Sequence, residues 1–69
     1  MSDALIKAEE RVIEYFRHAD ELRAKGNHTG ALIWLEDAWG AIEMLEIITG
    51  EKFDDIFKRL KAEARKEQT

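Results

Sequence analysis

The segment from Ala31 to Ile48 constrains the fold of this chain more than any other, because it is apolar in almost every direction. It holds both tryptophans and most of the large aliphatic side chains. At about 100° per residue on a helix, one face carries a continuous set of apolar side chains. That face consists of Trp34, Ala38, Ala41, Leu45 and Ile48, widened by Leu35 and Ile42.

Further apolar residues flank this face on both sides, so the segment predicts a helix that must be covered from several directions. The residues that interrupt the apolar surface are Glu36, Asp37, Gly40, Glu43 and Glu46. The chain has only 69 residues, and a core of that size rarely supplies more than about 3–5 kcal/mol. It has no cysteine, so tight helix packing and association are the remaining sources of stability.

The pattern predicts an all-α single domain over residues 1–69, with helices at 3–25, 28–49 and 53–66. Ser2 is a suitable N-cap for the first helix, and Gly26 suits the left-handed position that ends it. Asn27 or Thr29 can cap the second helix, which Gly50 terminates. Because the first connection is so short, we expect the first two helices to form a long antiparallel hairpin.

The first and third helices each present an apolar stripe that can cover the middle helix. In the first, the stripe has heptad-like spacing and consists of Leu5, Ala8, Val12, Tyr15, Ala19 and Leu22. In the third, it consists of Phe53, Ile56, Phe57 and Leu60, after which the pattern weakens. We expect the last turn to fray and Gln68–Thr69 to be loose.

Four large residues on the third helix are too few to cover the whole apolar surface of the second. We therefore expect a homodimer in which two hairpins form a four-helix-like core and the third helices brace it. Gly40, inside a helix, is expected to mark a close approach of another helix. The predicted interface consists of Leu32, Ile33, Trp39, Gly40, Met44 and Ile47.

Charge and hydropathy along the chain argue against several classes of partner. The net charge is −4 with both signs mixed along the chain, which disfavours binding to nucleic acid. No uncharged apolar run reaches the roughly 18 residues that a membrane span needs. The first residues lack the basic segment and apolar core of a signal peptide, so a cytoplasmic location is expected.

The sequence offers no convincing catalytic or cofactor site. Glu14 and His18 stand four residues apart, which could hold a metal at the surface, but a solvated ion pair is the commoner role. Inward-facing metal sites of helical bundles use Glu-x-x-His, which does not occur here. His28 lies at a helix start, where free amides attract anions, but such a histidine is more often simply a turn residue. We expect no enzyme activity, no metal and no cofactor.

Two resemblances extend this interpretation. Gly26, Ala31, Leu35 and Ala38 are spaced as in a tetratricopeptide helix pair, where a glycine makes the turn and small residues let the helices approach. A tetratricopeptide array needs about three such units, and this chain has no second copy. The resemblance implies a helical hairpin and, at most, an adaptor that holds a partner helix in an apolar groove.

A longer pattern of aromatic, small and turn residues extends over about residues 12–50. Its members are Tyr15, Phe16, Ala19, Gly26, Asn27, Ala31, Ala38, Trp39, Gly40, Ala41, Ile42, Glu43 and Gly50. This pattern resembles a family of helical hairpins found mainly in archaea and known only as a domain of unknown function. Asn27 replaces the acid usual after the turn glycine, and Asp37 stands where that family tends to have an aromatic. The resemblance implies a fold and no activity.

Three functions remain open at the level of sequence. The first is a non-enzymatic module that associates with itself or binds another protein. The second is a monomeric tetratricopeptide-like adaptor. The third, more distant, is a metal-dependent enzyme with an acidic site.

Overall fold

The computed structural model describes residues 3–66, and these residues form three α-helices and no strand. Helix α1 runs over Asp3–Ala24, α2 over His28–Thr49 and α3 over Phe53–Lys66. The expected all-α class is confirmed. The expectations for Ser2 as a cap and for a loose Gln68–Thr69 fall outside the described residues.

The turn between α1 and α2 is built on Gly26, whose φ of 83° places it in the left-handed region. The Gly26 amide donates to the carbonyl of Arg23, and the Asn27 amide donates to the carbonyl of Leu22. This pair of bonds is the Schellman motif, which satisfies the last carbonyls of a helix. In this motif Lys25 is the C-cap, the residue that follows the last helical residue. Helix α1 therefore ends at Ala24 and not at Lys25 as expected.

Asn27 then caps α2, because its side-chain oxygen accepts a hydrogen bond from the Gly30 amide at 2.9 Å. Without that acceptor, the first amides of the helix would have only water as a partner. Both the end of α1 and the start of α2 are therefore fixed by local hydrogen bonds within a few residues.

Replacing Asn27 with Ala is expected to lower the free energy of unfolding by about 1 kcal/mol, because the Gly30 amide loses its side-chain acceptor. Urea unfolding followed by circular dichroism at 222 nm measures this loss. Thr29→Ala is the matched control, since Thr29 is exposed in the same turn and does not cap α2. A loss in the control equal to that in Asn27→Ala would contradict the capping role.

The joint between α2 and α3 is fixed by a similar set of bonds. Gly50 has a φ of 76°, and its amide donates to the carbonyl of Glu46 at 2.9 Å. The Glu46 carboxylate in turn accepts from the amide of Phe53, the first residue of α3, at 3.0 Å. A carboxylate at this end of a helix also interacts favourably with the helix dipole. Glu46 therefore ends one helix with its backbone and caps the next with its side chain.

The core lies where the three helices meet. Phe16 of α1 is only 2% exposed and contacts Phe57 of α3 edge-to-face, with the ring centroids 5.5 Å apart. Tyr15 of α1 packs against Trp34 of α2 at a centroid distance of 5.5 Å. The buried residues of the core cluster are Val12, Phe16, Ala38, Ile42, Leu45, Ile56, Leu60 and Ala64.

Two positions differ from the sequence-based core. Ile48 was placed on the buried face of α2, but it is 61% exposed and lies at a groove lined by small residues of α1. Ala64 was placed where the pattern of α3 weakens, but it is fully buried. A small side chain there lets the end of α3 approach the core closely.

Arg59 of α3 connects the helices at the surface. Its guanidinium donates to the Glu9 carboxylate of α1 at 2.9 Å and to the Glu51 carboxylate at 3.0 Å. The hydrogen bond to Glu9 raises the pKa of Arg59 above its ordinary value, and Glu51 raises it further. The Arg59 side chain is 44% exposed, so this pair of bridges contributes at most about 1 kcal/mol.

Candidate association surface

The exposed apolar side chains of the described residues are concentrated on one helix. Seven large hydrophobic residues between residues 3 and 66 are exposed, and six of them belong to α2. The remaining one is Ile6 of α1. We call the following set the outer face of α2: Leu32, Ile33, Trp39, Met44, Ile47 and Ile48.

All six residues of the predicted interface are exposed in the single chain. Ile47 is 77% exposed, Ile33 and Met44 are each 57% exposed, and Trp39 is 36% exposed. Sequence analysis missed Ile48, which extends the outer face toward the end of α2. Helices α1 and α3 therefore leave the six predicted positions exposed in the single chain, and their role as an interface stays a prediction.

Gly40 lies in the middle of the outer face with open space in front of it. A Cβ atom added at this position would meet no heavy atom of a neighbouring element within 4 Å. Among residues 3–66 of one chain, no other helix approaches Gly40 closely. The approach of another helix to Gly40, which the sequence predicts, therefore remains a prediction for a helix of a second chain.

The two tryptophans have different environments. Trp34 is half-buried, and its ring stacks on the imidazole of His18 at a centroid distance of 4.8 Å. Trp39 belongs to the outer face and shows no ring contact among the described residues. Trp34 therefore completes the contact of α1 with α2, whereas Trp39 remains available to another molecule.

An apolar groove of about 420 Å³ opens beside the outer face, between the first turns of α1 and the last turns of α2. Three alanines leave this space, because larger side chains at their positions would fill it. Met44 and Ile48 belong to both the groove and the outer face. The lining residues are Ala4, Leu5, Ala8, Ala41, Met44, Leu45 and Ile48.

The charges around the outer face are all of one sign. Helix α2 contains no lysine or arginine, and Glu36, Asp37 and Glu43 are exposed along it. The exposed basic residues in the first half of α1 are Lys7, within the groove-lining turns, and Arg11, one turn further along. An acidic border around apolar side chains favours a partner surface with basic residues, which a second copy of this chain could supply only from outside α2.

Within residues 3–66, no group of three or more histidine, aspartate or glutamate side chains is arranged to hold a metal ion. None of the helices in that range is long and apolar enough to cross a membrane. In comparisons with protein-family models, curated proteins and solved structures, no match to this chain was found.

Proposed function

We propose that this protein is a non-enzymatic association module that forms a homodimer through the outer face of α2. In this proposal α1 and α2 form an antiparallel hairpin, and two hairpins make a four-helix-like core with α3 as a brace. The interface consists of Leu32, Ile33, Trp39, Gly40, Met44 and Ile47.

The observation that carries the proposal is the concentration of exposed large apolar side chains on α2, which holds six of the seven found among residues 3–66. Single hydrophobic residues scattered over a protein surface are normal, but several large ones gathered on one helix favour an interaction site. Large aliphatic and aromatic side chains are also the groups that supply most binding energy at interfaces. Covering them with a second copy would add stability that a core of this size lacks.

The antiparallel hairpin is supported by contacts between α1 and α2. Leu5, near the start of α1, lines the groove with Leu45, near the end of α2. Further along α1, Tyr15 contacts Trp34, which lies in the first half of α2. Contacts that move forward along one helix and backward along the other are those of two antiparallel helices.

Trp39 provides a direct test of whether this surface becomes covered. In a Trp34→Phe variant, Trp39 is the remaining tryptophan, and its quenching by acrylamide is expected to weaken as protein concentration increases. The matched control is Trp39→Phe, in which Trp34, already stacked on His18, should show little change with concentration. Quenching of Trp39 that is independent of concentration over the micromolar range would contradict the proposal.

A monomeric adaptor is the second candidate, and the groove beside α2 is the observation that favours it. An apolar groove between two helices is a common place to bind a partner's amphipathic helix. In that case the chain would stay monomeric, and Trp39 fluorescence would change only when a partner is added. Membership of the archaeal hairpin family and a cytoplasmic location remain predictions.

A further inference from the structure

We propose that the outer face of α2 binds a basic amphipathic helix of another protein, one that carries lysine or arginine on both sides of an apolar stripe. This inference goes beyond the proposed homodimer and does not depend on it, because a single chain already presents the face. It rests on the carboxylates that border the face and on their lack of partners among residues 3–66.

The centre of the outer face is a row of three exposed positions. Ile33, Gly40 and Ile47 are spaced by seven residues, which is close to two helical turns, so they share one side of α2. A Cβ atom added at Gly40 would meet no heavy atom of a neighbouring element within 4 Å, so the backbone is open between the two isoleucines. A second helix can therefore lie along this row and approach α2 closely at Gly40.

Carboxylates border this row on both sides. Residues three or four positions apart on a helix are neighbours on its surface. Glu36 and Glu43 each stand three residues after a member of the row and lie along one edge. Asp37 stands four residues after Ile33 and lies along the other edge. Because all three acids are exposed, a helix that packs on the row runs between carboxylates.

These three carboxylates are unpaired in the part of the chain that the structure describes. Among residues 3–66, no lysine, arginine or histidine side chain forms an ion pair with Glu36, Asp37 or Glu43. Elsewhere the chain does pair its acids, since Arg59 binds two of them. Basic side chains of a partner could therefore pair with the acids of the outer face without displacing an existing ion pair.

The α2 helix of a second copy does not supply such basic side chains. It contains four acids and no lysine or arginine. An antiparallel pair of α2 helices centred on the row would bring Glu43 of one copy beside Glu36 and Asp37 of the other, and a parallel pair would bring each acid beside its counterpart. Like charges brought together oppose association, whereas opposite charges favour it. Charge therefore selects a basic helix over α2 of a second copy.

The length and spacing of the face define the partner further. Helix α2 has 22 residues, so a partner helix of about three heptads spans it. In paired helices the apolar stripe faces the neighbour, and the charged residues that flank it select the partner. The expected partner is therefore an amphipathic helix with an apolar stripe and flanking cations, which is a common form of helix recognition.

Two synthetic peptides test the preference for positive charge. Each has about three heptads with leucine along one stripe, and one peptide carries lysine on both flanks where the other carries glutamate. Fluorescence anisotropy of the labelled peptides measures their binding to the dilute chain. The lysine peptide is expected to bind at least about tenfold more tightly, because only its flanks attract the carboxylates of α2. Equal affinities of the two peptides would overturn the proposal.

Charge reversal on the chain tests where the lysine peptide binds. A double variant with Glu36→Lys and Glu43→Lys is expected to weaken its binding at least about tenfold, because the flank becomes repulsive. The matched control is Glu10→Lys with Glu14→Lys, which changes the net charge equally at exposed positions of α1. This control should change the dissociation constant less than about threefold, since salt screens distant charges.

An equal loss of affinity in the two double variants would overturn the proposal, because net charge alone would then explain the binding. Circular dichroism shows whether both variants keep their helices. Affinity of the lysine peptide for the original chain should also fall as the salt concentration is raised, because exposed ion pairs are screened. An affinity that is independent of salt would likewise contradict a face that selects its partner by charge.

Sedimentation of the free chain separates this inference from the homodimer. A monomer that binds the lysine peptide on the outer face would support the inference and exclude the homodimer. A chain that dimerises but, when diluted, binds neither peptide would overturn the inference and leave the homodimer standing. A monomer that binds neither peptide would overturn both.

Discussion

Replacing Ile47 with Glu is expected to convert the dimer into a folded monomer. Ile47 is 77% exposed in the single chain, so the substitution removes little packing within one chain. In the dimer the change is made twice, and each copy loses the burial of an aliphatic side chain, about 1.5–3 kcal/mol. The dissociation constant should therefore rise at least about 100-fold, since each 1.4 kcal/mol is a factor of ten.

Sedimentation equilibrium measures this change, and circular dichroism shows whether the helices persist. Ala62→Glu is the matched control, because it adds the same charge at an exposed position of α3 outside the outer face. That control should leave the dissociation constant within about threefold of the original, as exposed substitutions usually change free energies by less than about 0.5 kcal/mol. An Ile47→Glu protein that dimerises as well as the control would exclude Ile47 from the interface.

Replacing Phe16 with Ala is expected to unfold most of the chain. Phe16 is 2% exposed and packs edge-to-face on Phe57, so its loss creates a cavity where α1 meets α3. Phe→Ala substitutions in cores cost about 3–5 kcal/mol, which equals the whole stability expected of a core this small. The far-ultraviolet circular dichroism signal should fall, and the cooperative urea transition should disappear.

Ile6→Ala on the same helix is the comparison for Phe16→Ala. Ile6 is 41% exposed, so its truncation should cost much less and leave a cooperative transition. A Phe16→Ala protein that keeps its helical signal and loses under about 1 kcal/mol, the usual effect of a tolerant site, would show that Phe16 is not central to the core.

The helices themselves follow from local sequence signals, and so these were predictable. Gly26 and Gly50 both adopt the left-handed conformation expected of residues that end helices, with φ values of 83° and 76°. Asn27 caps α2 in the expected way. These features depend on neighbours within a few residues, which is the range over which sequence patterns are informative.

The orientation of α2 about its own axis was harder to predict. Because apolar residues surround this helix, periodicity alone does not show which of them face α1 and α3. Ile48 was therefore assigned to the core although it is exposed, while the burial of Ala64 on α3 was missed. Both outcomes depend on how the neighbouring helices pack, which a pattern within one helix does not contain.

Contacts between distant parts of the chain were also beyond sequence reasoning. Glu46 interrupts the apolar surface of α2, but its role is to accept a hydrogen bond from the Phe53 amide at the start of α3. Arg59 and Glu9 form an ion pair across fifty residues of sequence. Long charged side chains reach such partners only after the core has placed the helices.

The mass of the protein in solution tests the central claim most directly. The chain has a mass of 8.0 kDa, and sedimentation equilibrium distinguishes one copy from two without any label or substitution. The six exposed large apolar side chains of α2 predict a dimer with twice that mass at micromolar concentration, dissociating on dilution. A constant mass of 8.0 kDa across the whole range would contradict the account.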